Sequence, residues 1–141
     1  MNVGIEYRWR HPITDAEVNE LTMTYGGHAE AGWWDRIRPH SLGWVTAHLP
    51  DDTVVGFVNV AWDGGDHAFL LDTKTRLAYQ RQGIGTRLVR LAAQHARSAG
   101  CEWLHVDYEP ELEPFYRACG FERTPAGLID LTRPGGATPR A

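Results

Sequence analysis

Cysteine is almost missing from this 141-residue chain: Cys101 and Cys119 stand alone, with no CxxC pair and no zinc-type spacing. That excludes a disulfide scaffold or a zinc module from the expected architecture and points to a reducing compartment. Long hydrophobic runs are also lacking. No apolar stretch could span a bilayer, and the opening residues MNVGIEYRWRHPIT have no apolar core of signal-peptide type, so a cytoplasmic protein is expected. There is no run of lysine and arginine, and fourteen basic against eighteen acidic side chains leave a net charge of -4. A nucleic-acid surface built on phosphate neutralisation is therefore not expected. The histidines never fall in HxxxH or HxH spacing, so no metal is expected either.

What is present is one domain's worth of hydrophobic sequence, 43% of the chain, enough to bury a core. A single domain is expected over residues 1–132, followed by a Pro/Gly-rich tail, residues 133–141, expected to be disordered. GIEYRW alternates as a strand does. ITDAEVNELTMTYGG then opens with Thr14 three residues before Glu17, a capping box, and sets Val18, Leu21 and Tyr25 on one helical face until Gly26 and Gly27 stop it. EAGWWDRIRPHS predicts a short helix ended by Pro39. GWVTAHL, TVVGFVNVAW and HAFLLDTKT predict an antiparallel meander of three strands. From Ile84 the residues Leu88, Leu91, Ala92, His95 and Ala99 follow helical spacing up to a left-handed cap at Gly100. CEWLHVDYE predicts a strand, PELEPFYRACG a short helix, and FERT with LIDLT a closing hairpin.

The strand before Gly83 and the strand after the long helix are joined by a helical crossover, which makes them parallel. The helix N-terminus then lies at the carboxyl end of the first strand, where unsatisfied N–H groups and the macrodipole favour an anion such as phosphate. Glycine at 83 and 85 lets a phosphate approach the backbone. A dinucleotide fingerprint fails because Leu88 stands where its third glycine should be, and a P-loop fails for want of GK[ST].

Gln80-Arg81-Gln82-Gly83-Ile84-Gly85 resembles the Q/R-x-x-G-x-G/A acyl-CoA signature of the GNAT family, the Gcn5-related N-acetyltransferases. EPFYRACGF, Glu113 to Phe121, looks like that family's second hallmark, an aromatic-Tyr-x-x-x-Gly-Phe helix after the fifth strand. The order of elements matches along nearly the whole chain. The resemblance implies an α/β (α+β) GNAT acyl-CoA N-acyltransferase fold: a mixed, mostly antiparallel sheet of six to seven strands, a parallel pair splayed around the crossover helix, and about four helices.

It also implies acetyl-CoA as co-substrate, with no metal, and direct transfer of acetyl to a primary amine. The pantetheine arm would lie along the backbone of Thr73, Lys74 and Thr75, as an added strand does. The pyrophosphate would rest on the loop Gln80, Arg81, Gln82, Gly83, Ile84, Gly85 and Thr86. Tyr116 matches the general acid; a phenol of pKa about 10 is protonated at neutral pH and can neutralise a departing thiolate. Base candidates are Asp66, His67, Asp72, His105, Asp107 and Glu109, with Asp72 and Glu109 favoured as nearest the expected splay. Trp33 and Trp34, with His28 and His40, fall in the region that shapes the acceptor pocket in such proteins. Cys119 reads as buried filler. Homodimers are common in the family.

The chain departs from the family pattern in places. Glu109 stands where asparagine is common and Leu112 where alanine is, Pro114 falls within the helix, and Thr75-Arg76-Leu77 replaces a Val-His-Pro-like approach to the loop. A non-catalytic acyl-CoA-binding module and a transferase of longer acyl chains are the alternatives carried forward. The amine remains open among polyamine, amino acid, antibiotic and protein N-terminus.

Overall fold

The computed structural model describes residues 4–134. Its first strand, β1 (Glu6–Trp9), leads to α1 (Asp15–Thr24), where the Thr14 hydroxyl accepts from the Glu17 amide and the Glu17 carboxylate accepts from the Thr14 amide. The capping box predicted from sequence is therefore formed. Val18 and Leu21 face inward as expected, but Tyr25 is exposed and Thr22 takes the buried position. α2 (Trp33–Ile37) runs into a 3-10 turn, Arg38–His40, that contains Pro39.

The meander is β2 (Ser41–His48), β3 (Val54–Trp62) and β4 (His67–Thr75), followed by α3 (Ile84–Ser98) and β5 (Trp103–His105). A 3-10 turn, Pro110–Leu112, precedes α4 (Glu113–Ala118). Pro114 lies in the first turn of α4, where its missing N–H costs nothing, so it starts the helix instead of breaking it. The sheet order is β1-β2-β3-β4-β5, antiparallel except for the parallel pair β4 and β5. The crossover prediction is met.

α3 covers one face. Its buried Ile84, Leu88, Val89, Ala92 and Ala96 pack on Val45, Val58, Val60, Ala68 and Leu70. Each large aliphatic so buried contributes roughly 1.5–3 kcal/mol, which fixes the N-terminus of α3 against the sheet. On the other face α1 and α2 enclose an aromatic cluster of Trp34, Trp44 and Phe57 with Val18, Leu21 and Val54.

Two expectations fail. Five strands stand among the described residues where six to seven were expected, and FERT-PAG-LIDLT forms no hairpin. Leu128, Ile129 and Leu131 are exposed, and β5 ends after three residues, so it offers those segments little edge to pair with. The tail expected to be disordered lies, from residue 135 on, outside the described residues. No described helix is long and apolar enough to cross a membrane.

Candidate active site

β4 is paired with β5 only at His67, Ala68 and Phe69. Beyond that point β4 keeps β3 on one edge, while β5 has ended and the chain turns off toward α4. The opposite backbone edge of residues 71–75 faces no strand, and an extended ligand can bond there as an extra strand would.

A bulge interrupts the same stretch. Phe57 pairs with Lys74 and Asn59 with Leu71, so Asp72 and Thr73 stand opposite Val58 alone. Asp72 takes φ 61°, a left-handed conformation that aspartate tolerates better than most residues. The bulge re-aims the strand's side chains. Lys74 turns toward α1, where its ammonium donates to the Thr22 hydroxyl at 2.6 Å and lies 4.7 Å from the centre of the Trp33 ring. Thr73 reaches the opposite way, toward the Tyr116 phenol.

The loop before α3 carries two left-handed residues, Arg81 at φ 62° and Gly83 at φ 85°. Gly83 is the N-cap of α3 and has no side-chain hydrogen bond there, so the helix N-terminus relies on outside acceptors. Gly85 has a further reason to be glycine. A Cβ there would come 3.3 Å from Phe115 Cζ, so the bare backbone also lets α4 pack against the start of α3. Ile84 is a core side chain and can offer a ligand only its backbone. The Gln80 amide donates to the Thr75 carbonyl, which ties the loop to the end of β4. Gln82 donates to the Ala78 carbonyl at 3.5 Å.

Tyr116 is 8% exposed and stacks on Tyr108 with ring centres 5.0 Å apart, while Phe115 and Phe121 meet it edge-on. Burial pushes its phenol above the usual tyrosine range, with the Thr73 hydroxyl pulling the other way. It therefore holds its proton at neutral pH. The Cys119 thiol is likewise pushed up by burial, which keeps it a poor nucleophile.

On the α1 side a pocket of about 300 Å³ is lined by Asn19, His28, Glu30, Trp33, Asp72 and Lys74. α1 builds it. Asp15 accepts from the Gly32 and Trp34 amides, both at 2.7 Å, and so holds the start of α2. Asn19 donates to the Glu30 carbonyl, and Arg76 reaches Glu20 from the end of β4. Asp72 meets solvent through the pocket, yet the protein crowded around its carboxyl pushes the pKa up, opposed by nearby Lys74. Desolvation in turn lowers the Lys74 ammonium, opposed by Asp72.

Of the residues singled out from sequence, Asp72, Thr73, Lys74, Thr75, Tyr116 and the loop 80–86 converge around the open edge of β4. Trp33 lines the pocket, but Trp34 does not: it is fully buried between Trp44 and Phe57 at ring distances of 5.1 and 5.0 Å, so its expected place in the acceptor wall is corrected to a place in the core. Glu109 is exposed, N-caps the turn before α4, and does not line the pocket. His40 is also absent from its lining. Sequence reasoning missed Asn19 and Glu30; the helical register of Asn19, one residue after inward-facing Val18, was the one available signal. Among the described residues no group of three or more His, Cys, Asp or Glu could hold a metal ion.

This architecture, an open β4 edge beside a glycine loop at a helix N-terminus, is that of an acyl-CoA-type transferase fold, and comparison makes it specific. The acetyltransferase (GNAT) family model matches residues 7–121, and the chain belongs to that family. Among curated proteins, glucosamine 6-phosphate N-acetyltransferase 1 of Oryza sativa subsp. japonica is 40% identical over 50 residues, covering 36% of this chain and 30% of the relative. The match thus spans about a third of that protein's length. Among solved structures, a GNAT family acetyltransferase of Streptococcus pneumoniae superposes with TM-score 0.74 at 26% identity, over 90% of this chain and 98% of that one. An aminoglycoside N-acetyltransferase in complex with CoA superposes with TM-score 0.70 at 18% identity, over 89% of this chain and 93% of that one.

Proposed function

We propose that this chain is a single-domain, cytoplasmic N-acetyltransferase, residues 1–132, that transfers acetyl from acetyl-CoA directly to a primary amine. The observation that carries this reading is the bulge at Asp72 on the open edge of β4, which separates a pocket on the α1 side from the Tyr116 phenol on the other. Acetyl-CoA would supply an activated acetyl thioester. The backbone of Thr73, Lys74 and Thr75 would hold its pantetheine arm, and the loop from Gln80 to Thr86 its pyrophosphate.

The amine would enter through the pocket, with Trp33 as a wall. Asp72 is the base of choice, because its raised pKa makes it a better proton acceptor than an ordinary carboxylate. It takes the ammonium proton directly or through a water. A backbone N–H of the bulged strand would be the donor for the negative charge that develops on the thioester oxygen. As the new C–N bond forms and the C–S bond breaks, Tyr116 gives its proton to the leaving sulfur. Glu109, the other favoured base candidate, is exposed and does not line the pocket, so Asp72 is preferred to it. Glucosamine 6-phosphate, the substrate in the relative's name, is the first acceptor to try.

Isothermal titration with acetyl-CoA, followed by thiol release against a panel of amines, tests the proposal. Binding with turnover on any amine supports the enzyme. Binding without turnover across the panel favours an acyl-CoA-binding module, and no binding removes the cofactor assignment.

A further inference from the structure

Lys74 is the only lysine in the chain; the other thirteen basic side chains are arginine. Three of its surroundings are defined: the Thr22 hydroxyl, buried at 6% exposure, accepts one ammonium proton at 2.6 Å; the Trp33 ring lies under the charge at 4.7 Å; and the rest opens on the pocket shared with Asp72. An ammonium has three donors, so this arrangement leaves donor capacity directed at the pocket.

The pocket's charges are also unusual in what they do not do. Glu30 is answered by Arg36 at 3.3 Å. Neither Asp72 nor Lys74 takes part in any ion pair among the described residues, although each feels the other's charge. A carboxylate and an ammonium on one pocket wall, held apart, are complementary to a ligand that carries both signs. Ammonium held on an aromatic face and a buried hydroxyl is preorganised, so little ordering cost falls on the ligand.

We infer that the acceptor is dipolar, an amine with a carboxylate or phosphate on the same small molecule, and that the Lys74 ammonium receives the anionic group while the amine faces Asp72. The inference rests on the acetyltransferase reading and goes beyond it by naming the class of acceptor. It makes Lys74 a specificity-determining side chain in addition to its backbone place on β4. A polyamine, which brings positive charge alone, is disfavoured because it would set an ammonium against Lys74.

The test uses matched pairs that differ in the anion: glucosamine 6-phosphate with glucosamine, serine with serinamide, and phenylalanine with phenylalaninamide. Wild type and Lys74→Met are first titrated with acetyl-CoA, then, loaded with CoA, with each pair member, and thiol release is measured in parallel. In at least one pair the anionic member should bind wild type at least about tenfold more tightly, the scale of one charge-assisted hydrogen bond, and Lys74→Met should erase that advantage. The glucosamine pair reports a phosphate and the amino-acid pairs a carboxylate. Equal or better binding of the neutral member in every pair overturns the inference, as does a preference that survives Lys74→Met. Acetylation of Lys74 itself, readable by tandem mass spectrometry of the peptide that contains it, also overturns it, since the amine would then be an acceptor and not a fixed charge. Failure of wild type to bind acetyl-CoA overturns the transferase reading as well, and it is seen before any amine is added.

Discussion

The first half of β4 is held on both edges, by β3 and by β5, and its Ala68 and Leu70 are buried under α3; the second half, from Leu71 to Thr75, keeps only β3, is bulged at Asp72, and sends its side chains to opposite sides of the sheet. Both halves belong to one nine-residue strand. What separates them is pairing: the closed half is stabilised by backbone bonds and burial, and the open half leaves the same groups available to a ligand. The proposed site thus lies where the sheet stops satisfying itself.

The sharpest way to break the comparison is to weaken the closed half. Leu70→Ala should cost about 2–5 kcal/mol of stability, read by denaturant unfolding, because Leu70 is 2% exposed and its cavity cannot close under α3. A cost below that of an exposed residue would mean that the two halves do not differ in packing. Next comes Tyr116→Phe, which should lower kcat by about a hundredfold with little change in acetyl-CoA affinity. An unchanged kcat would make the tyrosine a packing group for Tyr108 and nothing more.

Gly83→Val is expected to weaken acetyl-CoA binding at least about tenfold while costing roughly 1–2 kcal/mol of stability, since φ 85° is strained for any residue with a Cβ. Titration calorimetry and thermal melting separate the two effects, and intact binding would show that the loop is not the phosphate cradle.

The smallest effect is also the most diagnostic. Folding raises the Asp72 pKa, so the ionised form is disfavoured in the native state; any favourable contribution belongs to pH below the unfolded value and is lost as pH rises through the folded one. Asp72→Asn should therefore raise the melting temperature slightly at neutral pH, leave it unchanged in acid below the carboxylate range, and depress turnover. Melting curves at both pH values check the sign. A fall in melting temperature at neutral pH would mean that Asp72 is a structural carboxylate.

Much of this site could be read without coordinates, and the reasons are local. The capping box of α1, the amphipathic period of α3 and the two glycines at its start all act within one or two turns of chain, and all appear where expected. Tyr116 was found because its helix carries a recognisable run of residues. Trp33 and Trp34 show the limit: adjacent in sequence and identical in chemistry, one lines the pocket and the other is sealed in the core, because α2 presents them to different neighbours.

Periodicity and motif by themselves determined the class of fold and the order of elements as far as α4, and named the loop at Gly83 and Gly85 and the Tyr116 phenol as candidates, since each is encoded by residues close together in the chain. Tertiary structure alone decided the bulge that turns Asp72 and Lys74 into one pocket, the early end of β5 that opens the β4 edge, and the absence of a closing hairpin over residues 121–131. Those outcomes depend on partners far away in sequence, such as Thr22 for Lys74, 52 residues apart. No pattern within a single segment records which distant surface a strand will meet, and it is that meeting which sets where each side chain points.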